Sequence, residues 1–161
     1  MKISLLTGNC LHGKKTCSHQ GYLQLIQNKI LTMTTIQKTI YYHDTDAGGV
    51  VYYANYLKYM EEARTAFLND KGISIQQLHN EGFLYAVRQC SLKYMHPARY
   101  GDEITVSAKL SKMTAAQIFF EQEVRDKQTG AVLVEGEMVL VSLDKNFKAA
   151  AIPDHIRQAL S

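Results

Sequence analysis

Residues 41–56 read Tyr-Tyr-His-Asp-Thr-Asp-Ala-Gly-Gly-Val-Val-Tyr-Tyr-Ala-Asn-Tyr, and six of the ten tyrosines of the chain lie between residues 41 and 59. The stretch that precedes this segment, from Thr35, is rich in β-branched and aromatic residues and predicts a strand. The stretch that follows it has the apolar spacing of a helix. Two carboxylates and two glycines therefore occupy the turn between a strand and a helix, and this unit sets the fold.

The helix is predicted over about residues 52–69. Its apolar residues recur at spacings of three and four, which places them on one face: Tyr53, Tyr56, Leu57, Met60, Ala63 and Phe67. Gly72 is predicted to end the helix as a left-handed cap. Glu62 and Arg64 are expected to make contacts at the helix surface or with another subunit.

Beyond residue 80 the hydrophobic period changes from 3.6 to 2, which is typical of strands. Strands are predicted over residues 83–94, 103–110, 117–125 and 131–143, with a bulge at Gly136. Short helices are predicted over residues 73–80 and 153–160. The order strand, helix and four strands predicts an α+β domain in which the helix covers one face of an antiparallel sheet. A second subunit is expected to complete an exposed edge or face.

The charge of the chain is unevenly distributed. The 161 residues carry a net charge of +3, but residues 1–33 contain four lysines and no acid, whereas residues 34–161 contain 14 basic and 15 acidic side chains. Residues 1–32 show no clean period and are interpreted as an N-terminal extension, disordered or produced by a misplaced start; the domain spans residues 33–161. Because the domain is near neutral and lacks interleaved aromatic and basic residues, no nucleic-acid partner is expected.

The three cysteines indicate a reducing compartment, because an odd number without regular spacing does not form a disulfide framework. Cys10-x-His12 and Cys17-x-His19 match no common zinc module, so no metal site is expected. Cys90 is expected to be buried in its strand. No apolar run approaches the roughly 20 residues of a membrane span. These features predict a cytoplasmic protein.

Several functions are compatible with the residue types of the turn. A calcium loop that starts at Asp44 would match at Asp46 and Gly49, but Gly48 and Asn55 stand where further oxygen ligands are needed. A phosphatase with Asp44 as nucleophile would need a larger α/β domain. A hydrolase of an activated acyl group needs only one carboxylate and the backbone N–H groups of a helix start. The two aspartates could also serve only as caps.

The run from His43 to Leu68 resembles the signature of the 4-hydroxybenzoyl-CoA thioesterase family of hotdog-fold proteins, and most closely its YbgC-type branch, the Tol-Pal-associated acyl-CoA thioesterases. The similarity rests on residues 44–52, on Ala54-Asn55-Tyr56 and on Glu62-Ala63-Arg64. A second similar stretch contains Tyr94, Pro97-Ala98 and Tyr100-Gly101-Asp102. The resemblance covers about residues 35–157 and implies a hotdog fold, in which a five-stranded antiparallel sheet wraps around a long central helix.

The resemblance also implies the roles of individual residues. Asp46 would be the catalytic carboxylate, and the backbone N–H of Tyr53 would polarise the thioester carbonyl. Separately from the resemblance, Asn55 is expected to orient Asp46 or the substrate, because it is a polar residue in the first helical turn. Tyr53 stands where many YbgC-type proteins have His and where the 4-hydroxybenzoyl-CoA branch has Tyr, which leaves a backbone role unaffected. Further substrate contacts are expected from five residues: Gly48, Gly49, Val50, Arg99 and Lys148.

The expected function is hydrolysis of acyl-CoA, with short-chain acyl-CoA or acyl-acyl carrier protein as substrate and without a metal or bound cofactor. The expected assembly is a homodimer that pairs further into a homotetramer, in the cytoplasm or at the inner membrane as a peripheral protein. The alternative function is a non-catalytic module that binds acyl thioesters or acyl carrier protein in envelope or phospholipid synthesis.

Overall fold

The computed structural model describes residues 33–161, in which five strands form one antiparallel sheet. The strands are β1 (Met33–Thr39), β2 (Leu84–Tyr94), β3 (Glu103–Met113), β4 (Gln117–Asp126) and β5 (Val132–Leu143), in the spatial order β1-β3-β4-β5-β2. The helices are α1 (Asn55–Asp70), α2 (Ile75–Asn80) and α3 (Asp154–Ala159). The predicted element order and the antiparallel sheet are confirmed. The interpretation of residues 1–32 and the two Cys-x-His pairs lie outside the described residues.

Helix α1 packs across β1, β3 and β4 with the face that its apolar spacing predicts. One of these contacts joins the rings of Phe67 and Phe120, whose centroids lie 5.4 Å apart in an edge-to-face arrangement. Each large apolar side chain buried in this way stabilises the fold by about 1.5–3 kcal/mol. No helix of the described residues is long and apolar enough to cross a membrane.

The start of α1 differs from the prediction by three residues. Residues 52–54 form a turn, because the N–H of Tyr52 donates to the carbonyl of Asp44 at 2.9 Å and the N–H of Asn55 donates to the carbonyl of Tyr52 at 2.8 Å. Tyr53 therefore precedes the helix and is 61% exposed. Its assignment to the buried helix face was wrong, since the spacing rule takes no account of where the first helical turn begins.

Gly136 is not a bulge. It pairs in register with Leu92 of β2 and with Gln122 of β4, whereas the register shifts lie elsewhere. A Cβ atom at this position would stand 2.9 Å from side-chain atoms of both Leu92 and Met60. A side chain at this position would therefore require the ends of the Met60 and Leu92 side chains to shift.

Two further side chains depart from their predicted environments. Arg64 is 7% exposed and so lies in the interior, with Nη1 donating to Oε1 of Gln122 at 2.7 Å. Cys90 is exposed, because β2 forms an edge of the sheet and no described residue covers this part of it.

Candidate active site

The segment that follows β1 forms a loop held against the start of α1. Thr45 and Val51 form an antiparallel bridge across the loop, and Val50 forms another with Arg99. The N–H of Val51 also donates to the carbonyl of Ala98 at 2.9 Å. These backbone bonds define the position of the loop independently of its side chains.

Asp44 supports the turn at the beginning of this loop. Its side chain is buried, and Oδ2 accepts a hydrogen bond from the N–H of Tyr41 at 2.9 Å. Burial by itself would raise the pKa of Asp44, but the hydrogen bond from Tyr41 and the positive charge on neighbouring groups lower it below its ordinary value. The first carboxylate of the motif is therefore a structural cap.

Asp46 has the opposite environment. Its side chain is exposed, and Oδ1 accepts a hydrogen bond from the N–H of Gly48 at 2.8 Å. Within residues 33–161, Oδ2 has no hydrogen-bond partner. A Cβ atom on Gly48 would stand 3.0 Å from Oδ1, and Gly49 has a φ of +73°, so both glycines suit the backbone that orients this carboxylate. One oxygen of Asp46 is thus fixed and the other is available for chemistry.

The start of α1 supplies unpaired donors. Within the described part of the chain, the backbone N–H groups of Tyr53 and Ala54 have no acceptor, and no side chain caps the helix. The carbonyl of Tyr53 accepts a hydrogen bond from the hydroxyl of Tyr94 at 3.1 Å, which holds this peptide in place. Free N–H groups and the positive end of a helix dipole favour a developing negative charge.

Asn55 was expected to orient Asp46 or the substrate, but its side-chain amide contacts the main chain of the loop instead. It is buried, and its Nδ2 donates to the backbone carbonyl of Asp44 at 2.9 Å. The same carbonyl also accepts a hydrogen bond from the backbone N–H of Tyr52. Asn55 therefore joins the first helical turn to the main chain of the loop, two residues before Asp46.

A cleft of about 260 Å³ borders both the loop and the helix start. Val50 and Tyr53 line it together with Tyr94 and Pro97. Tyr56 also lines it, and the rings of Tyr56 and Tyr94 pack edge to face with centroids 5.9 Å apart. The roles of Tyr56 and Tyr94 were missed at the sequence level, although Tyr94 belongs to the second stretch of family resemblance.

The predicted cationic residues occupy two separate regions. Arg99 is exposed and its backbone pairs with Val50, so it borders the loop. Lys148 lies in the turn after β5, near Leu143, which pairs with the first residue of β2. Tyr94 is the last of the 11 residues of β2, which at about 3.3 Å per residue puts the two ends roughly 33 Å apart. One chain therefore does not bring Lys148 to Asp46.

Comparison with known proteins adds one family match and three similar proteins. Residues 41–160 match the family described as the thioesterase-like superfamily. The chain is 35% identical over 118 residues to the acyl-CoA thioester hydrolase YbgC of Escherichia coli O6:H1, covering 73% of this chain and 87% of that protein. It is 30% identical over 115 residues to the chloroplastic acyl-acyl carrier protein thioesterase ATL3 of Arabidopsis thaliana, covering 71% of this chain and 60% of that protein. The crystal structure of a probable thioesterase from Bartonella henselae superposes with a TM-score of 0.71 and 28% identity, covering 75% of this chain and 99% of that one.

Proposed function

The chain belongs to the thioesterase-like superfamily and is an acyl-CoA thioester hydrolase, and we propose that Asp46 and the N–H groups at the start of α1 perform the reaction. The antiparallel sheet with α1 on one face is the hotdog fold that the family resemblance implies. One observation supports the site above all others. Asp46, with its free Oδ2, lies on the loop that carries Val50, and Val50 and Tyr53, whose N–H is unpaired, both line one mostly apolar cleft.

The N–H groups of Tyr53 and Ala54 stabilise the negative oxygen that develops on the thioester carbonyl. A preorganised donor of this kind contributes about 10²–10³ in rate. Thioesters are activated acyl groups, so an ordinary carboxylate and such donors suffice. The hydrogen bond from Tyr94 to the carbonyl of Tyr53 keeps the donor peptide oriented before the substrate arrives.

The carboxylate of Asp46 supports two routes. As a general base it removes a proton from water, which attacks the carbonyl carbon and displaces the CoA thiolate; this contributes about 10²–10⁴ in rate. As a nucleophile it attacks the same carbon, releases the thiolate and forms a mixed anhydride that water then hydrolyses. Both routes yield a carboxylic acid and free CoA thiol, and both need the unpaired Oδ2.

The substrate is oriented by the residues that border the cleft. We place the acyl group against Val50 and the tyrosines of the cleft, with the backbone of Gly48 and Gly49 along its edge. Arg99 is positioned to bind a phosphate of CoA or of phosphopantetheine, because it is exposed next to the loop. The relationship to the Arabidopsis acyl-acyl carrier protein thioesterase supports acyl carrier protein as a second substrate carrier.

We propose that the protein acts as a homodimer, which pairs further into a homotetramer. The edge strand β2 is 11 residues long and its middle residues are exposed, which favours pairing with a second copy. In such an assembly Lys148 would serve the site of a partner subunit. The resemblance to the YbgC-type branch supports a cytoplasmic role associated with the Tol-Pal system, including peripheral contact with the inner membrane.

The variant Asp46→Asn tests the assignment of the carboxylate. We expect at least a 100-fold loss of kcat in a free-thiol assay with acyl-CoA substrates of several chain lengths, because a general base contributes about 10²–10⁴. Acyl-CoA binding and the melting temperature should remain close to those of the wild type. Asp154→Asn, the same change at an exposed position in α3, is the control and should leave turnover unchanged. Near-normal turnover by Asp46→Asn would exclude the proposed role.

A further inference from the structure

The face of the sheet that points away from α1 carries a groove of about 710 Å³. Helix α1 packs on the opposite face, where Met60 meets Gly136. Four glutamates from the neighbouring strands β4 and β5 line the groove and are exposed or half-buried: Glu121, Glu123, Glu135 and Glu137. Nothing in the proposed reaction uses this face, and pairing of β2 with a second copy would extend the sheet sideways and leave the face open.

The glutamates of the groove oppose one another across the two strands. Glu121 pairs directly with Glu137, and like charges placed opposite each other destabilise a sheet. Glu123 pairs with Glu135 in the same way. Three of the four have a cationic partner, at N–O distances of 2.7, 2.8 and 3.9 Å: Lys109 for Glu121, Arg125 for Glu123 and Lys93 for Glu135. Within residues 33–161 Glu137 has no ion-pair partner, and the groove is lined by four glutamates and two lysines, so it favours a cationic occupant.

The chain enters this groove at Met33, the first residue of β1, which lines it. Met33 pairs with Lys109 of β3. Lys109 pairs in turn with Glu121 of β4, and Glu121 with Glu137 of β5. These residues form one row across the sheet, in which three strand spacings of about 4.8 Å put Met33 roughly 14 Å from Glu137. Whatever precedes Met33 is therefore tethered at the edge of the acidic groove.

The residues that precede Met33 have a complementary charge. Residues 1–32 contain no acidic residue and four lysines: Lys2, Lys14, Lys15 and Lys29. Lys29 stands four positions before Met33, and four extended residues span about 13–14 Å. The tether is therefore long enough for the ammonium group of Lys29 to reach Glu137, and the lysines farther from Met33 have more chain available.

The apolar residues of the two partners also correspond. Ile30 and Leu31 follow Lys29 in the sequence. On the sheet, Phe119 pairs with Val139 next to the row of Glu121 and Glu137, and both apolar side chains are half-buried. A segment that is basic and apolar thus meets a surface that is acidic and apolar.

We propose that residues 1–32 dock on this outer face of their own sheet, with lysine ammonium groups on Glu121 and Glu137. A second copy of the chain on the same face would bring together two linings of the same net charge, which is unfavourable. A separate basic protein would compete with a segment that is held at the groove by its own chain, and such a tether raises the effective concentration of the segment into the millimolar range. The proposal does not depend on the proposed reaction.

Zero-length cross-linking of the full-length chain tests the proposal without any mutation. A carbodiimide condenses a lysine amine with a carboxylate that it contacts, and peptide mass spectrometry identifies the two residues. We expect amide bonds between lysines of residues 1–32 and Glu121 or Glu137, in the band that migrates as a single chain under denaturing conditions. The proposal is overturned if no lysine of this segment is joined to either glutamate, or if such bonds occur only in the band of two chains, which would assign the segment to a second copy.

Variants then measure whether the two glutamates hold the segment. The double variant Glu121→Gln and Glu137→Gln should increase the rate of tryptic cleavage after Lys14, Lys15 and Lys29 at least fivefold in the full-length chain, because the contacts that protect these lysines are lost. Glu61→Gln, which removes an exposed carboxylate from α1 on the other side of the sheet, is the matched control and should leave the rate unchanged. Equal rates in the wild type and the double variant would contradict the proposal. If the double variant fails to fold by circular dichroism, the cross-linking of the wild type still decides. Because no turnover is measured, failure here is separate from failure of the proposed function.

Discussion

Asp44 and Asp46 have the same side chain and lie two positions apart, yet their environments differ. Asp44 has a structural role, and Asp46 is placed for the proposed chemistry. Asp44 is buried and accepts a backbone hydrogen bond within its own turn. Asp46 is exposed, with only one oxygen engaged. The difference arises because Asp44 ends a short 3-10 helix (Tyr42–Asp44) that lies against the start of α1, where Asn55 donates to its carbonyl, whereas Asp46 lies in the exposed loop beyond it.

The role of Asp44 predicts a pH-dependent stability difference. Its pKa is lowered in the folded chain, so its carboxylate stabilises the fold above the unfolded value of about 3.9, and this contribution is lost as the pH falls through the lower folded value. Asp44→Asn should therefore melt below the wild type at pH 7, and the two should converge as the pH is lowered towards 3. Thermal melts at several pH values measure this. A difference that stays constant with pH would show that the charge of Asp44 is irrelevant.

Substitution of Gly48 is predicted to lower turnover without lowering the stability of the fold. A Cβ at this position crowds Oδ1 of Asp46 at 3.0 Å and disturbs the hydrogen bond that orients the carboxylate. Gly48→Ala should lower kcat about tenfold, which corresponds to about 1.4 kcal/mol in the barrier. The free energy of unfolding should change by less than about 0.5 kcal/mol, as for other exposed positions. Ala47→Ser, at the exposed neighbouring residue, is the control and should retain turnover.

At the scale of elements, the contact between α1 and the sheet depends on a small residue at its centre. Met60 is fully buried, and a Cβ at Gly136 of β5 would stand 2.9 Å from the end of its side chain and from the end of Leu92, so both would have to shift. Gly136→Ala should destabilise the domain by about 1–3 kcal/mol through overpacking. In the Met60→Val background the same change should cost less, because the colliding sulfur and methyl group are absent. Urea unfolding of the four variants gives the coupling energy, and additive costs would rule out this contact as the cause.

At the scale of the whole molecule, the two edge strands of the sheet differ in length within residues 33–161. β1 has 7 residues and β2 has 11, and Val87 of β2 is 52% exposed. We predict that light scattering finds an assembly of at least two copies and that Val87→Asp shifts it towards monomers. Thr35→Asp on the edge strand β1 is the matched change and should leave the assembly intact. Dissociation by the β1 variant alone would assign the interface to the other edge.

The pattern of residues along the sequence was sufficient to predict the order of the strands and helices, the antiparallel sheet and the position of the motif loop. Strands and helices are recognised by hydrophobic periods of two and 3.6 residues, and turns by glycine. Each signal is therefore encoded over a few neighbouring residues. The carboxylate and glycines of residues 44–49 belong to one such local segment. Their joint placement at a helix start follows from chain connectivity alone.

Only the tertiary structure decided which groups meet across long separations in sequence. The burial of Arg64 depends on Gln122, 58 residues away, and the glycine at 136 depends on Met60. The start of α1 at Asn55 depends on the carbonyl of Asp44, and the distance of Lys148 from Asp46 depends on the direction of β2. These outcomes are set by packing and hydrogen bonding between separate elements, which local periodicity does not encode.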